Sequence, residues 1–345
     1  MRKPFVVSRR ALLAGLGAFS AAAFVGPLPL RAQGSDPLPS WNEGPAKNSI
    51  LDFVRATTNP SDPKFVAPDQ RIATFDQDGT LWVEHPIYTQ VAFAFARVVA
   101  LAPQHPEWKT TAPFSAILAG DKAAIAAFSV GDLEKVVVAT HTGMSVESFS
   151  SIASAWIATA KHPRWNRLYT DLTYAPMLEL MKYLRANGYA TYICTGGGQD
   201  FVRTYAARTY GVSPEQVIGS APHLSYAYEK NGQPVLMRDP RLELNNNMSG
   251  KAEDIYLFLG GPPRASFGNS TGDQQMLEYT QSGSGARLMM LILHDDAQRE
   301  YAYGPATGLP DTKVGTFTPA LYDEARSRGW QVVSMKDDWK RVFAF

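Results

Sequence analysis

The chain has 345 residues, of which 45% are hydrophobic and 19% are charged. This composition is typical of a soluble globular protein with one large or two ordinary domains. The first 34 residues hold five of the 33 basic side chains and no acidic one, so the rest has 28 basic and 32 acidic side chains. Because no basic stripe remains in that larger part, we expect no nucleic-acid partner.

The N-terminal segment is the first predicted element. A basic stretch ends in Arg9-Arg10, and a mildly apolar run follows over residues 11–25. The arginine pair and the leucines after it resemble a twin-arginine signal, so residues 1–34 are predicted to be a signal peptide that engages the twin-arginine export machinery of a bacterium. The alternative is a retained membrane anchor, although the run is short for a bilayer crossing. We expect a periplasmic or secreted protein with no stable membrane span after signal removal.

Beyond residue 35, predicted strands and helices alternate. Apolar runs bounded by turn residues predict strands, and apolar residues at helical spacing predict helices. The predicted strands are residues 71–75, 189–195, 264–269, 286–296 and 329–335. The predicted helices are residues 49–58, 173–188 (capped by Thr173), 199–211 and 251–260. The dipeptide Asn231-Gly232 predicts a hairpin turn. This alternation predicts an α/β, Rossmann-like fold whose mostly parallel sheet has helices on both faces. Ligands of such folds bind at the carboxyl ends of the strands.

Residues 83–170 interrupt this layout between the first two predicted strands. They are rich in helical spacing and in aromatic residues, and Phe149 and Trp156 lie on one apolar face of a predicted helix. We predict that residues 83–170 form an α-helical cap that closes over the site. Residues 35–82 and 171–345 would then form the α/β core.

Two aspartates follow the first predicted strand, in the sequence DQDGT. They are Asp76 and Asp78. Because side-chain alternation is lost beyond the end of a strand, carboxylates at i and i+2 can face one site, where one is a nucleophile or metal ligand and the other carries a proton. The alternative is an acidic turn, since Asp-Gly dipeptides are common in turns.

Three further polar signals fall at predicted strand–helix junctions. Thr195 precedes three glycines whose backbone N–H groups could cradle a phosphate at a helix start, although no Walker A lysine follows. Lys251 opens a helix, where it opposes the helix dipole and needs another reason for its position. Asn269 and Asp273 lie in an oxygen-rich loop that suits Mg²⁺. Each signal has an ordinary alternative: a Gly-rich turn, a solvated lysine and a polar capping loop.

In their order and context, the four signals resemble the motifs of the haloacid dehalogenase-like hydrolase superfamily. The likeness is to its phosphoserine phosphatase-like members with a helical cap. DQDGT is similar to the first motif, Thr195 to the second, Lys251 to the third and GNSTGD to the fourth, across residues 71–275. One departure is that the fourth motif begins Gly-Asp in many members and has Asn269 here. Because asparagine contributes no charge, weaker metal binding or more reliance on Asp273 is expected.

The resemblance implies a two-step phosphoryl transfer on a small phosphorylated metabolite. Asp76 would attack phosphorus and form an aspartyl-phosphate, and Asp78 would protonate the leaving oxygen and then activate water. The phosphate oxygens would be held by Thr195, Gly196 and Lys251. The cofactor Mg²⁺ would be held by Asp76, the Asp78 backbone carbonyl, and Asn269 or Asp273.

Four residues follow the nucleophile closely, and some of them are candidates for lining the entrance to the site: Trp82, Glu84, His85 and Tyr88. A packed histidine is the alternative for His85. The tryptophans in and beside the predicted cap could form an aromatic cage for a cationic headgroup, although helix packing explains them equally well.

Two other classes of function remain open from the sequence. The chain could bind a phosphorylated ligand in the periplasm without turnover, or it could be a dehalogenase or phosphotransferase on the same fold. A pure binder would avoid extra negative charge beside phosphate, and dehalogenases of this superfamily lack the second aspartate. The pair Asp76 and Asp78 therefore favours an Mg²⁺-dependent phosphatase that hydrolyses phosphomonoesters.

Overall fold

The computed structural model describes residues 36–345, so the predicted signal peptide lies outside the described residues. One seven-stranded sheet organises this part of the chain, in the spatial order β4-β3-β2-β1-β5-β6-β7. The strands are β1 (Ile72–Phe75), β2 (Ala190–Gly198), β3 (Val217–Tyr228), β4 (Pro234–Leu244), β5 (Ala265–Gly268), β6 (Leu288–Leu293) and β7 (Gln331–Ser334). Among residues 36–345, no helix is both long and apolar enough to cross a bilayer.

β1 is the central strand and pairs in parallel with β2 on one side and β5 on the other. The chain adds β2 and β3 on one side of β1 and later adds β5 to β7 on the other. In open α/β sheets, such a reversal creates the crevice in which ligands bind. All neighbouring strands are parallel except β3 and β4, which form the hairpin predicted at Asn231-Gly232.

Helices connect the strands. In chain order they are α1 (Pro45–Thr58), α2 (Thr89–Leu101), α3 (Phe114–Ala119), α4 (Lys122–Ala126), α5 (Val130–His141), α6 (Val146–Ile157), α7 (Ala175–Ala186), α8 (Gln199–Arg203), α9 (Ala206–Tyr210), α10 (Ser249–Leu259), α11 (Gln274–Ser282), α12 (Pro319–Ser327) and α13 (Met335–Asp338). Short 3₁₀ turns lie between some of them.

Two apolar clusters cover the two faces of the sheet. Met290 and Ile292 of β6 pack in the cluster that includes α1 and α7, whereas Met289 and Leu291 pack with α10, α11 and α12. This alternation follows from the period of two along a strand. The predicted α/β fold, with helices on both faces of a mostly parallel sheet, is confirmed.

The elements between β1 and β2 are helical, and α2 to α6 correspond to the predicted cap. The cap has a small apolar core of its own, made by Ala94, Val98, Trp108, Phe114, Ile117 and Val136. The predicted apolar face of α6 packs against the main core, where Phe149 is fully buried and Trp156 partly buried. The insertion therefore joins the α/β core through packing as well as through the chain.

The glycine run after Thr195 differs from the prediction of a turn. Gly196, Gly197 and Gly198 continue β2 as extended chain, with a shift in register between Thr195 and Gly198. Gly198 pairs with Ser220 of β3, and this long-range pairing extends the strand beyond the residues that favour one locally. The helix predicted over residues 199–211 is interrupted and forms α8 and α9.

Two predicted boundaries also differ. The strand predicted to reach residue 296 ends at Leu293, because the Asp295 and Asp296 side chains accept hydrogen bonds from the backbone N–H groups of Lys336 and Arg299. The N-cap of α7 is Tyr174, not Thr173, and Thr173 instead forms a β-bridge with Trp82.

Phe75 and Phe267 lie opposite each other in β1 and β5, with stacked rings whose centroids are 4.4 Å apart. Both are fully buried, so we expect Phe267→Ala to lower the free energy of unfolding by about 3–5 kcal/mol in urea denaturation. Leu257→Ala, at an exposed position of α10, is the control and should change it by less than about 0.5 kcal/mol. Equal losses in both variants would contradict this description of the core.

Candidate active site

Three neighbouring strands bring the predicted residues together. Asp76 directly follows β1, Asn269 directly follows β5, and Thr195 lies in β2. Because these strands are parallel and adjacent, their carboxyl ends meet at one edge of the sheet. The backbone N–H of Asp76 donates to the carbonyl oxygen of Phe267 at 2.8 Å, so the pairing of β1 with β5 continues up to the site.

Lys251 joins two of the predicted carboxylates. Its Nζ lies 2.5 Å from Oδ1 of Asp76 and 2.5 Å from Oδ1 of Asp273, and all three side chains are buried. Burial alone would lower the pKa of Lys251, but the carboxylates of Asp273 and Asp76 raise it above its usual value. This double ion pair is the reason for a lysine in the first turn of α10, which the helix dipole alone would disfavour.

The site contains more buried negative charge than this lysine balances. Burial raises the pKa of Asp76, and the carboxylate of Asp273 raises it further. Burial also raises the pKa of Asp78 to about 6. Among the described residues, Lys251 is the cationic side chain in direct contact with these acids. Excess buried negative charge of this kind favours a bound cation.

The turn between Asp78 and Trp82 fixes the second aspartate. Nε1 of Trp82 donates a hydrogen bond to Oδ1 of Asp78 at 2.6 Å. Gly79 has a φ of +74°, and a Cβ at this position would overlap with the side chains of Asn269 and Glu84. The turn therefore requires glycine for its backbone conformation and for space.

Three polar groups surround the space in front of Gly197. A Cβ at this residue would lie 3.2 Å from Oε1 of Gln90, 3.3 Å from Oγ1 of Thr195 and 4.0 Å from Oδ2 of Asp78. The N–H of Gly197 donates to Thr195 Oγ1 at 3.0 Å, and that of Gly198 donates to Gln90 Oε1 at 2.7 Å. The predicted cradle of free glycine N–H groups is wrong for these two glycines, because side-chain oxygens already accept their hydrogen bonds.

Asn269 is held in a buried network with Glu84. Nδ2 of Asn269 donates to Oε1 of Glu84 at 2.7 Å, and the hydroxyl of Tyr303 donates to the same oxygen at 2.7 Å. The amide oxygen of Asn269 accepts from Thr80 Oγ1 at 3.1 Å, and this hydroxyl also lies 3.4 Å from Oδ2 of Asp76. Burial raises the pKa of Glu84 well above its usual value, although the hydrogen bond from Tyr303 opposes the shift.

Asp273 has no carboxylate oxygen free of protein hydrogen bonds. Its Oδ2 accepts from the backbone N–H groups of Asn269 and Ser270, each at 3.0 Å, and its Oδ1 contacts Lys251. Within residues 36–345, no three His, Cys, Asp or Glu side chains form a cluster that could hold a metal ion. Both carboxylate oxygens of Asp273 are thus engaged, and the amide oxygen of Asn269 lies near Asp76 through their shared neighbour, the Thr80 hydroxyl.

A cleft of about 610 Å³ opens above the strand ends. Its wall includes the predicted residues Asp76, Asp78, Glu84, Thr195, Gly196, Lys251 and Asp273, and residues from α5 and from the hairpin of β3 and β4. The structure thus brings these predicted residues to one surface. Asn269 is buried and does not reach the cleft wall.

Trp82 and His85 do not line the cleft, so the prediction is wrong for these two residues. Trp82 is fully buried and stacks on Tyr205 with ring centroids 5.0 Å apart. Nε2 of His85 lies 3.1 Å from the carbonyl oxygen of Val314, and burial lowers the pKa of His85 to about 4. The tryptophans at positions 108, 156 and 165 are also absent from the cleft wall, which leaves helix packing as the explanation of these side chains.

Two lining residues that sequence reasoning missed are Gln90 and Arg238. The guanidinium of Arg238 pairs with Asp200, donates from Nε to the carbonyl oxygen of His141 at 2.8 Å and lies over the ring of Phe149. These partners lie at least 38 residues away in the chain, so no local pattern indicates them.

A family model decides the class of this protein. The model of haloacid dehalogenase-like hydrolases matches residues 73–278, which is more than half of the chain. The chain belongs to this family. The matched range begins in β1 and ends in α11, so it contains all four motif regions and the cap. The predicted membership of the superfamily is confirmed, and the protein is a hydrolase of that family.

Several solved structures are similar to the chain at low sequence identity. A conserved protein of unknown function from Anaerococcus prevotii DSM 20548 is 15% identical, with 84% of this chain and 91% of that chain covered and a TM-score of 0.51. A protein of unknown function from Bordetella pertussis Tohama I is 16% identical, with 76% and 98% covered and a TM-score of 0.46. A phosphoserine phosphohydrolase-like protein from Francisella tularensis subsp. tularensis SCHU S4 is 13% identical, with 65% and 88% covered and a TM-score of 0.36. No curated protein resembles the chain closely enough to count as a match.

Replacing Lys251 with methionine would leave two buried carboxylates without their cation. Removing one partner of a buried ion pair costs about 3–5 kcal/mol, and we expect a loss of this size in the free energy of unfolding in Mg²⁺-free urea denaturation. A second substitution, Asp273→Asn, removes one excess charge and should recover part of the loss. The control is Lys182→Met at an exposed position of α7. An effect of Lys251→Met no larger than that of the control would contradict the buried ion pair.

Proposed function

We propose that this hydrolase is an exported, Mg²⁺-dependent phosphatase that cleaves small phosphomonoesters through an aspartyl-phosphate intermediate. The observation that carries the proposal is that Asp76 and Asp78 face one cleft, with the Lys251 ammonium against Asp76. A carboxylate nucleophile needs positive charge beside it to accept an anionic substrate, and a leaving alkoxide needs a proton donor. This site has both.

Asp76 is placed to act as the nucleophile. Lys251 binds its Oδ1, and the Thr80 hydroxyl lies 3.4 Å from its Oδ2, so both oxygens are oriented. In the first step, a carboxylate oxygen bonds to phosphorus while the bond from phosphorus to the leaving oxygen breaks. Thr195 and Gly196 line the same cleft and would hold nonbridging oxygens together with Lys251.

Asp78 is placed to move the proton. The Trp82 indole fixes its Oδ1, while its Oδ2 faces the open space in front of Gly197. Because burial raises the pKa of Asp78 to about 6, a protonated fraction is available to the leaving oxygen near neutral pH. The carboxylate then accepts a proton from the water that attacks the aspartyl-phosphate.

The residues present fit Mg²⁺. Oδ2 of Asp76 and the amide oxygen of Asn269 converge on the Thr80 hydroxyl, at 3.4 and 3.1 Å. Oxygen donors of this kind, beside excess negative charge, suit a hard cation. Asp76, Asn269 and the backbone carbonyl of Asp78 would hold the ion. When bound, Mg²⁺ would supply positive charge that reduces the repulsion between the carboxylate and the phosphate.

Glu84 orients Asn269. Its Oε1 accepts the Nδ2–H of Asn269, which directs the amide oxygen toward Thr80 and Asp76. Glu84 would thus act on the metal site by orienting a neutral ligand.

Export is part of the proposal. It is supported by the Arg9-Arg10 pair in a basic N-terminal stretch and by the presence of a single cysteine, Cys194, which excludes an intramolecular disulfide. A chain without disulfides can complete its folding before export, as the twin-arginine route requires.

We expect the purified protein to release phosphate from p-nitrophenyl phosphate, and Mg²⁺ to stimulate the release. Asp76→Asn should abolish the activity because the nucleophile is lost. Asp78→Asn should lower kcat by about 10²–10⁴-fold because the acid–base group is lost. Asp69→Asn, at an exposed position, should leave the activity unchanged.

Phosphate release that survives Asp76→Asn would exclude the proposed nucleophile. Tight binding of phosphate esters without turnover would favour the non-catalytic binder, and halide release from haloacids without phosphate release would favour a dehalogenase.

The role of Glu84 can be tested by replacing it alone and together with Asn269. Glu84→Gln should weaken Mg²⁺ binding by about 10-fold or more in calorimetry, as expected for the loss of a residue that orients a ligand. Combining it with Asn269→Asp places a carboxylate on the adjacent side chain and should return the affinity toward that of the native protein. Glu147→Gln, at an exposed position of α6, is the control. Native Mg²⁺ affinity in Glu84→Gln alone would contradict the proposal.

A further inference from the structure

We infer that the cleft contains a leaving-group subsite, formed by α5 and by the hairpin of β3 and β4, that binds an apolar alcohol of the phosphomonoester. The inference rests on the proposed phosphatase function, and it defines the substrate class. It is carried by apolar side chains that line the same cleft as Asp76 and that no other part of the described chain covers.

One face of α5 forms the first wall. Six residues at i, i+3, i+4, i+7, i+8 and i+11 all line the cleft: Val130, Leu133, Glu134, Val137, Val138 and His141. This spacing describes a single continuous helix face. The charged member, Glu134, is exposed to solvent. Apart from His141, which is buried at the C-terminal end of α5, the rest of this face presents leucine and valine side chains to the cleft.

The other face of α5 already satisfies the packing of the cap. Val136 is fully buried in the cap's own apolar core with Ala94 and Val98 of α2. The cleft-facing valines are not needed there: Val130 is 75% exposed and Val138 is 39% exposed. A helix that is apolar on a second, uncovered face is consistent with ligand binding.

The hairpin forms a second wall. Ala221 and Pro222 of β3 and Pro240 and Leu242 of β4 line the cleft, and Leu242 is 56% exposed. Apolar groups thus face the space from both walls. The cleft volume of about 610 Å³ exceeds what a phosphate group occupies and lies within the range of small-molecule sites.

The charged side chains that the hairpin contributes to the cleft already have partners. Arg238 pairs with Asp200, Asp239 accepts a hydrogen bond from Ser225 at 2.9 Å, and Arg241 lies 3.6 Å from Glu243. A polar or charged leaving group would have to compete with these contacts. An alkyl or aryl group needs only the apolar walls, so the observations favour an apolar alcohol.

Binding of n-alkylphosphonates tests the subsite without turnover. The series from ethyl- to hexylphosphonate keeps the headgroup constant and changes only the apolar length. We expect Kd, measured by calorimetry on the full chain with Mg²⁺, to fall by about tenfold over this series. Full burial would give about fourfold per methylene, and the open cleft gives less.

Two variants and a matched control assign the effect to the walls. Val137→Thr combined with Val138→Thr should reduce the dependence of Kd on chain length, and so should Leu242→Thr on the second wall. Val99→Thr changes a 59% exposed valine of α2 outside the cleft and should retain the native dependence. Thermal unfolding checks that each variant is folded. If the double variant of α5 does not fold, the comparison of Leu242→Thr with Val99→Thr tests the inference.

A Kd that does not change with chain length would overturn the inference, and so would an equal dependence in the wall variants and in Val99→Thr. Phosphate release from the n-alkyl phosphates separates this result from the proposed function. Chain-length-dependent binding without phosphate release would refute the phosphatase and retain the subsite. Release of phosphate from p-nitrophenyl phosphate without any preference for longer alkyl groups would retain the phosphatase and refute the subsite.

Discussion

The buried contact of Lys251 with Asp76 and Asp273 is the constraint on which the site depends. It ties the start of α10 to the end of β1 and to the loop after β5. Charges in a buried region are stable only when their partners stay in place, so this contact demands a fixed arrangement of the three elements. The backbone N–H groups of Asn269 and Ser270 hold the second oxygen of Asp273. The contact of Lys251 with the two aspartates therefore joins these three elements and also orients Asp76, the proposed nucleophile.

The pair of Glu84 and Asn269 shows how a residue far away in the chain can orient a neutral side chain of the site. The residue after Gly268 is neutral, but its amide donates to a buried carboxylate that lies 185 residues earlier in the chain. The residue types at the end of β5 alone would indicate a metal site with one charge too few. In the folded chain, Gly79 leaves the space that lets Glu84 approach, so the turn after the first motif and the end of β5 form one unit.

Residues placed by the carboxyl ends of strands could be predicted from the sequence, because chain order and parallel pairing together define that edge. Asp76, Thr195 and Asn269 follow this rule. The glycines after Thr195 did not, because pairing with β3 outweighed their local preference for a turn. Gln90 and Arg238 could not be predicted, since their partners depend on how the cap and the hairpin pack against the core. The sequence therefore indicated the chemistry of the reaction centre better than the walls that surround it.

The central claim is that Asp76 forms a covalent bond to phosphorus. The most direct measurement is to mix the protein with p-nitrophenyl phosphate and Mg²⁺, quench in acid, reduce with borohydride and sequence the peptides by mass spectrometry. Borohydride converts an acyl phosphate into an alcohol. The account predicts homoserine in place of Asp76 only when substrate and Mg²⁺ were present. An unmodified Asp76 in protein that releases phosphate and carries the modification at another carboxylate would contradict it.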